Sequence, residues 1–139
     1  AGDGTEKLKL KQLSEKLNIS NKIKYFGFLK DIRPLLKLSN LYVNTSYFEG
    51  FPNSVVEAIN HGIPVICSQS HGGINEILLN GKCGTIFNNG NSFDLASKIE
   101  EYYNNPKKYF LKTKLAKKNI KRFTLRKNIM GYENLFNKL

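Results

Sequence analysis

Short apolar runs alternate with amphipathic segments along most of the chain. Four runs rich in β-branched and aromatic residues, at residues 23–28, 41–46, 64–68 and 84–88, are predicted to be strands. Apolar residues recur at helical spacing in the segments between them, for example at Leu10, Leu13 and Leu17. Helices are predicted at residues 5–18, 75–79, 92–105, 106–122 and 124–138, and Asp31 is predicted to cap a short one. This alternation predicts an α/β fold with a doubly wound parallel sheet, whose ligands bind at the carboxyl ends of the strands.

The segment after the strand at residues 41–46 carries polar groups at the head of a predicted helix. Ser54 and Glu57 have the spacing of a capping box, and the apolar helix that they begin ends at Gly62. Unpaired N–H groups and the helix dipole both favour an anion at such a helix start. The segment is therefore predicted to hold a phosphate group.

Two carboxylates, Glu49 and Glu57, flank this predicted phosphate site and are separated by seven residues. A carboxylate accepts two hydrogen bonds at once, which suits a pair of neighbouring hydroxyl groups. Two carboxylates beside a phosphate site indicate a diphosphate with a sugar at one end and a ribose at the other. The predicted ligand is thus a nucleotide-sugar.

This spacing resembles the signature of retaining glycosyltransferases with the GT-B fold, in particular family 4 of the bacterial polysaccharide and lipopolysaccharide type. Further segments follow in that family's order and at about its spacing: residues 2–4 (GDG), 23–27 (IKYFG), 41–46 (LYVNTS), 62–66 (GIPVI), 72–76 (GGINE) and 84–87 (GTIF). The resemblance covers residues 1–104 well and the remainder more loosely. It implies a Rossmann-like donor-binding domain that transfers a sugar from a nucleotide-sugar with retention of configuration.

The resemblance also implies roles for individual residues. Glu49 is expected to be catalytic and to hold donor hydroxyls near the reacting carbon, whereas Glu57 is expected to hold the ribose diol. Phe28 and Leu29 are expected to meet the base edge. The predicted donor-binding segment comprises Gly50, Phe51, Pro52, Asn53, Ser54, Val55, Val56 and Glu57. His71, Gly72 and Gly73 lie in a loop at a strand's carboxyl end and are predicted to face the same cleft.

The chain departs from the family's pattern at its N-terminus. The family's donor-binding domain has a further strand and helix, with a basic pair that grips the donor phosphates, ahead of the segment at residues 2–4. The acceptor-binding N-terminal domain is also expected before it. We therefore expect a partial GT-B C-terminal domain, with an α/β core at residues 1–104 and basic helices at 105–139, that binds donor weakly and transfers nothing by itself.

Two other functions agree with the same residues. A noncatalytic nucleotide-sugar-binding module or remnant would bind the donor without turnover, and a sugar-nucleotide epimerase would have a similar fold. A dinucleotide-binding domain is excluded, because the third glycine of its Gly-x-Gly-x-x-Gly pattern would fall at Lys7.

The distribution of charge limits the classes of binding partner that the sequence predicts. Residues 98–139 carry twelve Lys and Arg against three Asp and Glu, which accounts for +9 of the net charge of +11. This balance is typical of solvated helix faces, but it also suits an anionic membrane surface or a lipid-linked acceptor. Nucleic acid is not expected, since the chain lacks helix-turn-helix, zinc and base-stacking signatures.

Neither a metal nor another cofactor is predicted. The chain has only three aspartates, Asp3, Asp31 and Asp94, and none belongs to an Asp-x-Asp pair that could bridge a metal to a diphosphate. Cys67 and Cys83 lack metal-ligand spacing and indicate reduced thiols. The predicted location is cytoplasmic, peripheral on the inner face of the membrane.

Overall fold

The computed structural model describes residues 1–138 and consists of two compact units, Ala1–Leu38 and a second that begins at Ser39. The first unit contains α1 (Lys7–Lys16), a 3₁₀ helix (Ser20–Lys22) and α2 (Arg33–Lys37). The second contains β1 (Tyr42–Asn44), β2 (Phe48–Glu49), α3 (Asn53–Asn60), β3 (Val65–Ser68), β4 (His71–Gly72), α4 (Ile74–Ile77), β5 (Thr85–Phe87), α5 (Ser92–Asn104), α6 (Pro106–Asn119), a 3₁₀ helix (Ile120–Phe123) and α7 (Leu125–Phe136).

The predicted strand at residues 23–28 is wrong. Its backbone is extended at Ile23, but the described residues provide no neighbouring strand to complete a hydrogen-bond ladder. Gly2 N–H donates to the Gly27 carbonyl at 2.6 Å, which ties the segment to the start of the same unit. A run of apolar residues favours a strand, yet the strand forms only where a partner presents its own backbone groups.

Three parallel strands form the sheet of the second unit in the order β1–β3–β5. Val43 lies opposite Ile66, and Ile66 lies opposite Thr85. Each pair of neighbours is separated in sequence by a helix, as parallel pairing requires. The predicted α/β, doubly wound, Rossmann-like fold is confirmed, and the predicted strands at residues 41–46 and 64–68 are neighbours in its sheet.

The core of this unit lies between the sheet and the helices α5 and α6. Ile66, Phe87 and Tyr109 are buried together, and the ring of Tyr102 meets that of Tyr109 edge to face at 5.3 Å. Tyr109 donates its hydroxyl hydrogen bond toward the Lys98 carbonyl at 2.9 Å and the Glu101 carboxylate at 3.0 Å. Burial and this carboxylate raise the pKa of Tyr109 to about 12. The polar end of a buried aromatic side chain is thus satisfied within the core.

The helix α3 begins two residues earlier than the capping-box pattern predicted. Its N-cap is Pro52 and no side chain caps it, so the predicted capping box of Ser54 and Glu57 is wrong. Its C-terminus is as predicted: Gly62 adopts φ +79°, and the N–H groups of Gly62 and Ile63 close onto the carbonyls of Ile59 and Ala58. These paired bonds form a Schellman motif, which needs the left-handed conformation that glycine adopts most readily.

The two basic helices at the C-terminus differ in how they pack. Helix α6 buries Tyr109, Thr113 and Ala116, but α7 has no buried residue, and its Leu125 is 75% exposed. The helical spacing of apolar residues in both helices predicts that these residues are buried and that only the lysines face outward, which is wrong for α7 and, at Phe110 and Leu111, for α6. Helical spacing predicts an apolar stripe but not the surface that covers it. In this unit α5 contacts β3 and β5, and α6 contacts α3 and α5.

None of the helices in residues 1–138 combines the length and the apolar character that crossing a bilayer requires.

Candidate functional site

The carboxyl ends of β1 and β3 lead into two short segments that pair with each other. β2 and β4 run parallel, with Phe48 opposite His71 and Glu49 opposite Gly72, and Gly73 N–H donates to the Gly50 carbonyl at 2.8 Å. The structure therefore brings His71, Gly72 and Gly73 beside Glu49 and Gly50. This pair was not predicted, because two-residue strands leave no periodic pattern in a sequence.

The two glycines of β4 and its following turn allow this close approach. A Cβ atom at Gly72, where φ is +110°, would lie 1.7 Å from the Glu49 carbonyl oxygen, and one at Gly73 would lie 2.8 Å from the Gly50 carbonyl oxygen. Both obstacles are backbone atoms, which no side-chain rotation can move. The β2–β4 pair is thus incompatible with a side chain at Gly72.

Glu49 is half-buried, and a neighbouring amide orients its carboxylate. Asn44, the last residue of β1, donates from Nδ2 to Glu49 Oε1 at 3.2 Å and is itself only 7% exposed. The Glu49 charge is also felt by Cys67 in β3: burial first, and this carboxylate second, raise the pKa of the Cys67 thiol to about 12. Cys67 is accordingly a protonated core residue rather than a nucleophile.

A small polar network surrounds Asn44. The Ser46 N–H donates to Asn44 Oδ1 at 3.2 Å, and the Ser68 hydroxyl donates to the Ser46 carbonyl, joining the ends of β1 and β3. Sequence reasoning missed these residues. Their signal was a polar residue at the end of an apolar strand, where a buried amide needs partners.

Glu57 lies on the exposed side of α3. Its carboxylate makes no hydrogen bond or ion pair with any residue in the described range 1–138, and the nearby His61 N–H and ring Nδ1 contact the Glu57 backbone carbonyl instead. His61 therefore supports the end of its helix, as expected of a histidine in a last turn. The Glu57 carboxylate is left with its hydrogen-bonding capacity for a ligand.

The first turn of α3 shifts the predicted phosphate-binding groups by two residues. The N–H groups of Val55 and Val56 both bond to the Pro52 carbonyl, at 3.0 and 3.3 Å. Within the part of the chain that the structure describes, the N–H groups of Asn53 and Ser54 have no acceptor. An anion at this helix start would therefore meet the N–H groups of Asn53 and Ser54, and not those of Val55 and Val56, which are already paired.

The predicted donor segment divides into exposed and buried positions. Gly50, Phe51 and Asn53 are exposed, whereas Pro52 and Val55 are buried. Burial is the main cause of the raised pKa of the Tyr42 phenol, and the Ser54 hydroxyl offsets part of this rise. Pro52 and Val55 therefore anchor the segment, and the other positions present it to solvent.

Two residues that follow α6, Arg122 and Phe123, support the donor segment through aromatic contacts. The Phe123 ring meets the Phe51 ring edge to face at 5.1 Å, and the Arg122 guanidinium lies 4.6 Å from the Phe123 ring centroid. Arg122 Nη2 also donates to the Glu76 carbonyl at 2.7 Å, in the helix that follows Gly73. These contacts connect the donor segment and the glycine turn to the C-terminal part of the chain. No pattern in the sequence predicted these contacts.

We expect Phe123→Ala to loosen the donor segment. Loss of an edge-to-face aromatic pair costs about 1 kcal/mol beyond the lost burial, and Phe51 would lose its support. Hydrogen exchange followed by mass spectrometry should show faster exchange in a peptide covering residues 47–57. Phe93→Ala is the matched control, because Phe93 is 87% exposed on α5. Unchanged exchange at residues 47–57 in Phe123→Ala would contradict the supporting role.

The remaining predicted groups lie elsewhere or are not found. Phe28, which is 77% exposed, and Leu29 belong to the first unit, so their contact with a base remains a prediction. Residues 1–138 contain no group of three or more His, Cys, Asp and Glu side chains placed to hold a metal ion. The arrangement that remains is two carboxylates, free helix N–H groups and a glycine turn at one edge of a parallel sheet.

Known proteins with this sequence pattern are glycosyltransferases. The sequence model of the family "Glycosyl transferases group 1" matches residues 1–122. The chain belongs to this family. Its polysaccharide and lipopolysaccharide relatives include the lipopolysaccharide core biosynthesis glycosyltransferase LpsE of Rhizobium meliloti, 29% identical over 100 residues, which are 72% of this chain and 29% of LpsE.

The chain also resembles a second glycosyltransferase in sequence and a solved structure in fold. The uncharacterized glycosyltransferase MJ1059 of Methanocaldococcus jannaschii is 43% identical over 77 residues, which are 55% of this chain and 19% of that protein. The crystal structure of Anabaena Alr3699/HepE in complex with UDP has a TM-score of 0.88 at 27% identity, covering 99% of this chain and 40% of that chain. The chain therefore has an α/β, Rossmann-like fold that matches part of a GT-B glycosyltransferase structure. It spans less than a third of the length of LpsE and of MJ1059.

Proposed function

We propose that the chain is the donor-binding part of a retaining, family 4 glycosyltransferase that transfers a sugar from a nucleotide-sugar to an acceptor. The observation that carries this proposal is the pair Glu49 and Glu57. One carboxylate is half-buried and oriented by Asn44, and the other is exposed with no partner in residues 1–138. The bond from Asn44 occupies one oxygen of Glu49, and Glu57 has no partner in residues 1–138, so both carboxylates retain acceptor capacity for a ligand.

In this proposal, each part of the nucleotide-sugar donor is bound by a particular group of the chain. Glu57 accepts the two hydroxyls of the ribose, and Glu49 holds hydroxyls of the transferred sugar near the reacting carbon. The N–H groups of Asn53 and Ser54 meet the diphosphate, since the helix dipole and unpaired donors both favour an anion there. The flanking turn at Gly72 and Gly73 fixes the loop that carries Glu49.

The nucleotide-sugar class is supported by relatives of known structure. One crystal structure of Anabaena Alr3699/HepE contains UDP-glucose, and its chain matches 95% of this one with a TM-score of 0.84. We therefore propose a nucleotide-sugar as donor and no metal cofactor, with the diphosphate charge met by helix N–H groups. The comparisons give no specific support to the epimerase or to the noncatalytic binding module.

The remaining proposals concern the whole enzyme. We propose that an acceptor-binding domain completes it, that the protein works in the cytoplasm at the inner face of the membrane, and that the isolated chain binds donor without transfer. The relatives' link to polysaccharide and lipopolysaccharide synthesis supports an acceptor of that class. A lipid-linked acceptor would agree with the basic charge of residues 98–139.

Transfer with retention can be tested on the longest natural protein that contains this chain. It should be incubated with UDP-glucose and a polysaccharide or lipid-linked acceptor, and the anomeric configuration of the product should be determined by NMR. We expect an α-linked product from the α-linked donor. A β-linked product would overturn retention, and conversion of the sugar nucleotide without an acceptor product would favour the epimerase.

A further inference from the structure

Helix α6 has two faces of different chemistry. One face buries Tyr109, Thr113 and Ala116 against its own unit. The adjoining surface is exposed and is called here the lysine face; it consists of Lys107, Phe110, Leu111, Lys114, Lys117, Lys118 and, in the 3₁₀ helix that follows, Lys121. At 100° per residue, Lys107, Lys114 and Lys118 fall within about 40° of one another on the helix, and Leu111 lies at the edge of the same arc.

The charge of the lysine face is not neutralised by the chain. Helix α6 contains no acidic residue. Two other lysines of the helix have partners in the fold: Lys108 pairs with Glu101, and Lys112 donates to the Gly84 carbonyl at 3.1 Å. By contrast, none of the five lysines on the lysine face forms an ion pair with any residue between 1 and 138. Lysines needed for stability would be expected to have such partners more often.

Apolar side chains lie among these lysines. Phe110 is 45% exposed and Leu111 is 61% exposed, although the same helix buries other residues completely. Lysine stems and two apolar side chains can sit at the boundary between headgroups and acyl chains, while the ammonium groups reach the lipid phosphates. A basic surface with protruding apolar residues fits an anionic bilayer better than a nucleic acid, whose duplex backbone offers charge but no apolar layer.

We propose that the lysine face of α6 docks on an anionic lipid bilayer. The attachment is electrostatic in its larger part, with Phe110 and Leu111 entering the interface. It would hold this chain parallel to the membrane along α6 without a membrane-spanning segment. The proposal goes beyond sugar transfer and stands without it, because no residue of the lysine face belongs to the donor site.

Vesicle cosedimentation of the full chain tests the proposal. Vesicles of 30% phosphatidylglycerol in phosphatidylcholine should bind the chain at 50 mM salt and release it as the salt is raised, whereas pure phosphatidylcholine should not. Each lysine near an anionic surface strengthens binding about fivefold, so the triple variant Lys107→Gln, Lys114→Gln, Lys118→Gln should bind about 100-fold more weakly.

A matched triple variant removes the same charge from elsewhere. Lys16→Gln, Lys22→Gln, Lys37→Gln changes three exposed lysines of the first unit and should weaken vesicle binding less than about tenfold. Equal losses in both triple variants would show that net charge, not the lysine face, causes binding, and would overturn the proposal. Absence of binding to the anionic vesicles at 50 mM salt would also overturn it.

The contribution of Phe110 and Leu111 to vesicle binding is measured with a separate variant. Phe110→Ser, Leu111→Ser should weaken vesicle binding at 150 mM salt at least fivefold, where charge attraction is more strongly screened. Thermal unfolding of this variant should match the native chain, because both side chains are exposed.

Nucleic acid is the competing partner. If the chain does not bind the vesicles but binds a single-stranded RNA through the same lysines, the lipid assignment is overturned in favour of nucleic acid.

Discussion

Gly72→Ala is expected to disrupt the candidate site more than any other small substitution in it. The added Cβ would lie 1.7 Å from the Glu49 carbonyl oxygen, and the residue would have to keep φ near +110°. Separation of β2 from β4 would relieve the clash but would break the pairing that positions Glu49. We expect a loss of about 3 kcal/mol or more in unfolding free energy, together with at least a tenfold loss in affinity for UDP.

Gly62→Ala separates backbone strain from steric clash. Gly62 also has a positive φ, +79°, but nothing lies within 4 Å of the position that its Cβ would take. Alanine there should cost only the left-handed conformation, about 1 to 2 kcal/mol, and should leave UDP binding unchanged. Thermal unfolding and calorimetry with UDP check both variants. Equal stability losses at Gly62 and Gly72 would contradict the proposed close approach of β2 and β4.

Three of the four predicted strands, at residues 41–46, 64–68 and 84–88, could be predicted from the sequence because they are short apolar runs between helices. All four residues of β3 are buried, and such strands read as continuous apolar runs. β2 and β4 could not be predicted in this way, since Phe48 and His71 are both exposed and each strand has two residues. Their pairing results from the glycine turn and from the parallel strands that deliver them, which are tertiary effects.

The donor segment shows where a local pattern can mislead. Ser54 and Glu57 match a capping box, yet the helix starts at Asn53 because its first turn closes on the Pro52 carbonyl. The positions of the two glutamates could be read from the sequence, but the free N–H groups could not, because they depend on the residue at which the helix starts.

The predicted strand at residues 23–28 and the predicted burial of the apolar residues of α7 were wrong for the same reason. Each has the composition or spacing of a buried element, and each remains largely exposed in the described structure. Periodicity shows which residues share one face of a helix or strand, whereas burial of that face requires a second element that packs against it. The Phe51–Phe123 contact is the converse case, in which two unremarkable phenylalanines meet through the tertiary fold.

Glu57→Gln and Glu49→Gln are expected to separate binding of the nucleotide from binding of the sugar. Glu57→Gln should weaken UDP and UDP-glucose alike by about 1 to 3 kcal/mol, because a charge-assisted hydrogen bond to the ribose is spoiled. Glu49→Gln should leave UDP affinity unchanged and weaken UDP-glucose, since only the intact donor has the sugar hydroxyls. Calorimetry of both ligands with both variants measures this division.

Neither substitution should disturb the fold, which makes the calorimetric result interpretable. The Glu57 carboxylate has no partner within residues 1–138, and a glutamine at position 49 can still accept the bond from Asn44 Nδ2. Unfolding free energies should thus stay within about 0.5 kcal/mol of the native value. Glu100→Gln, an exposed change on α5, controls for the loss of one negative charge near a polyanionic ligand. Equal losses for UDP and UDP-glucose in both variants would contradict separate roles for the two carboxylates, because a shared loss of charge would then explain the data without a ribose contact or a sugar contact.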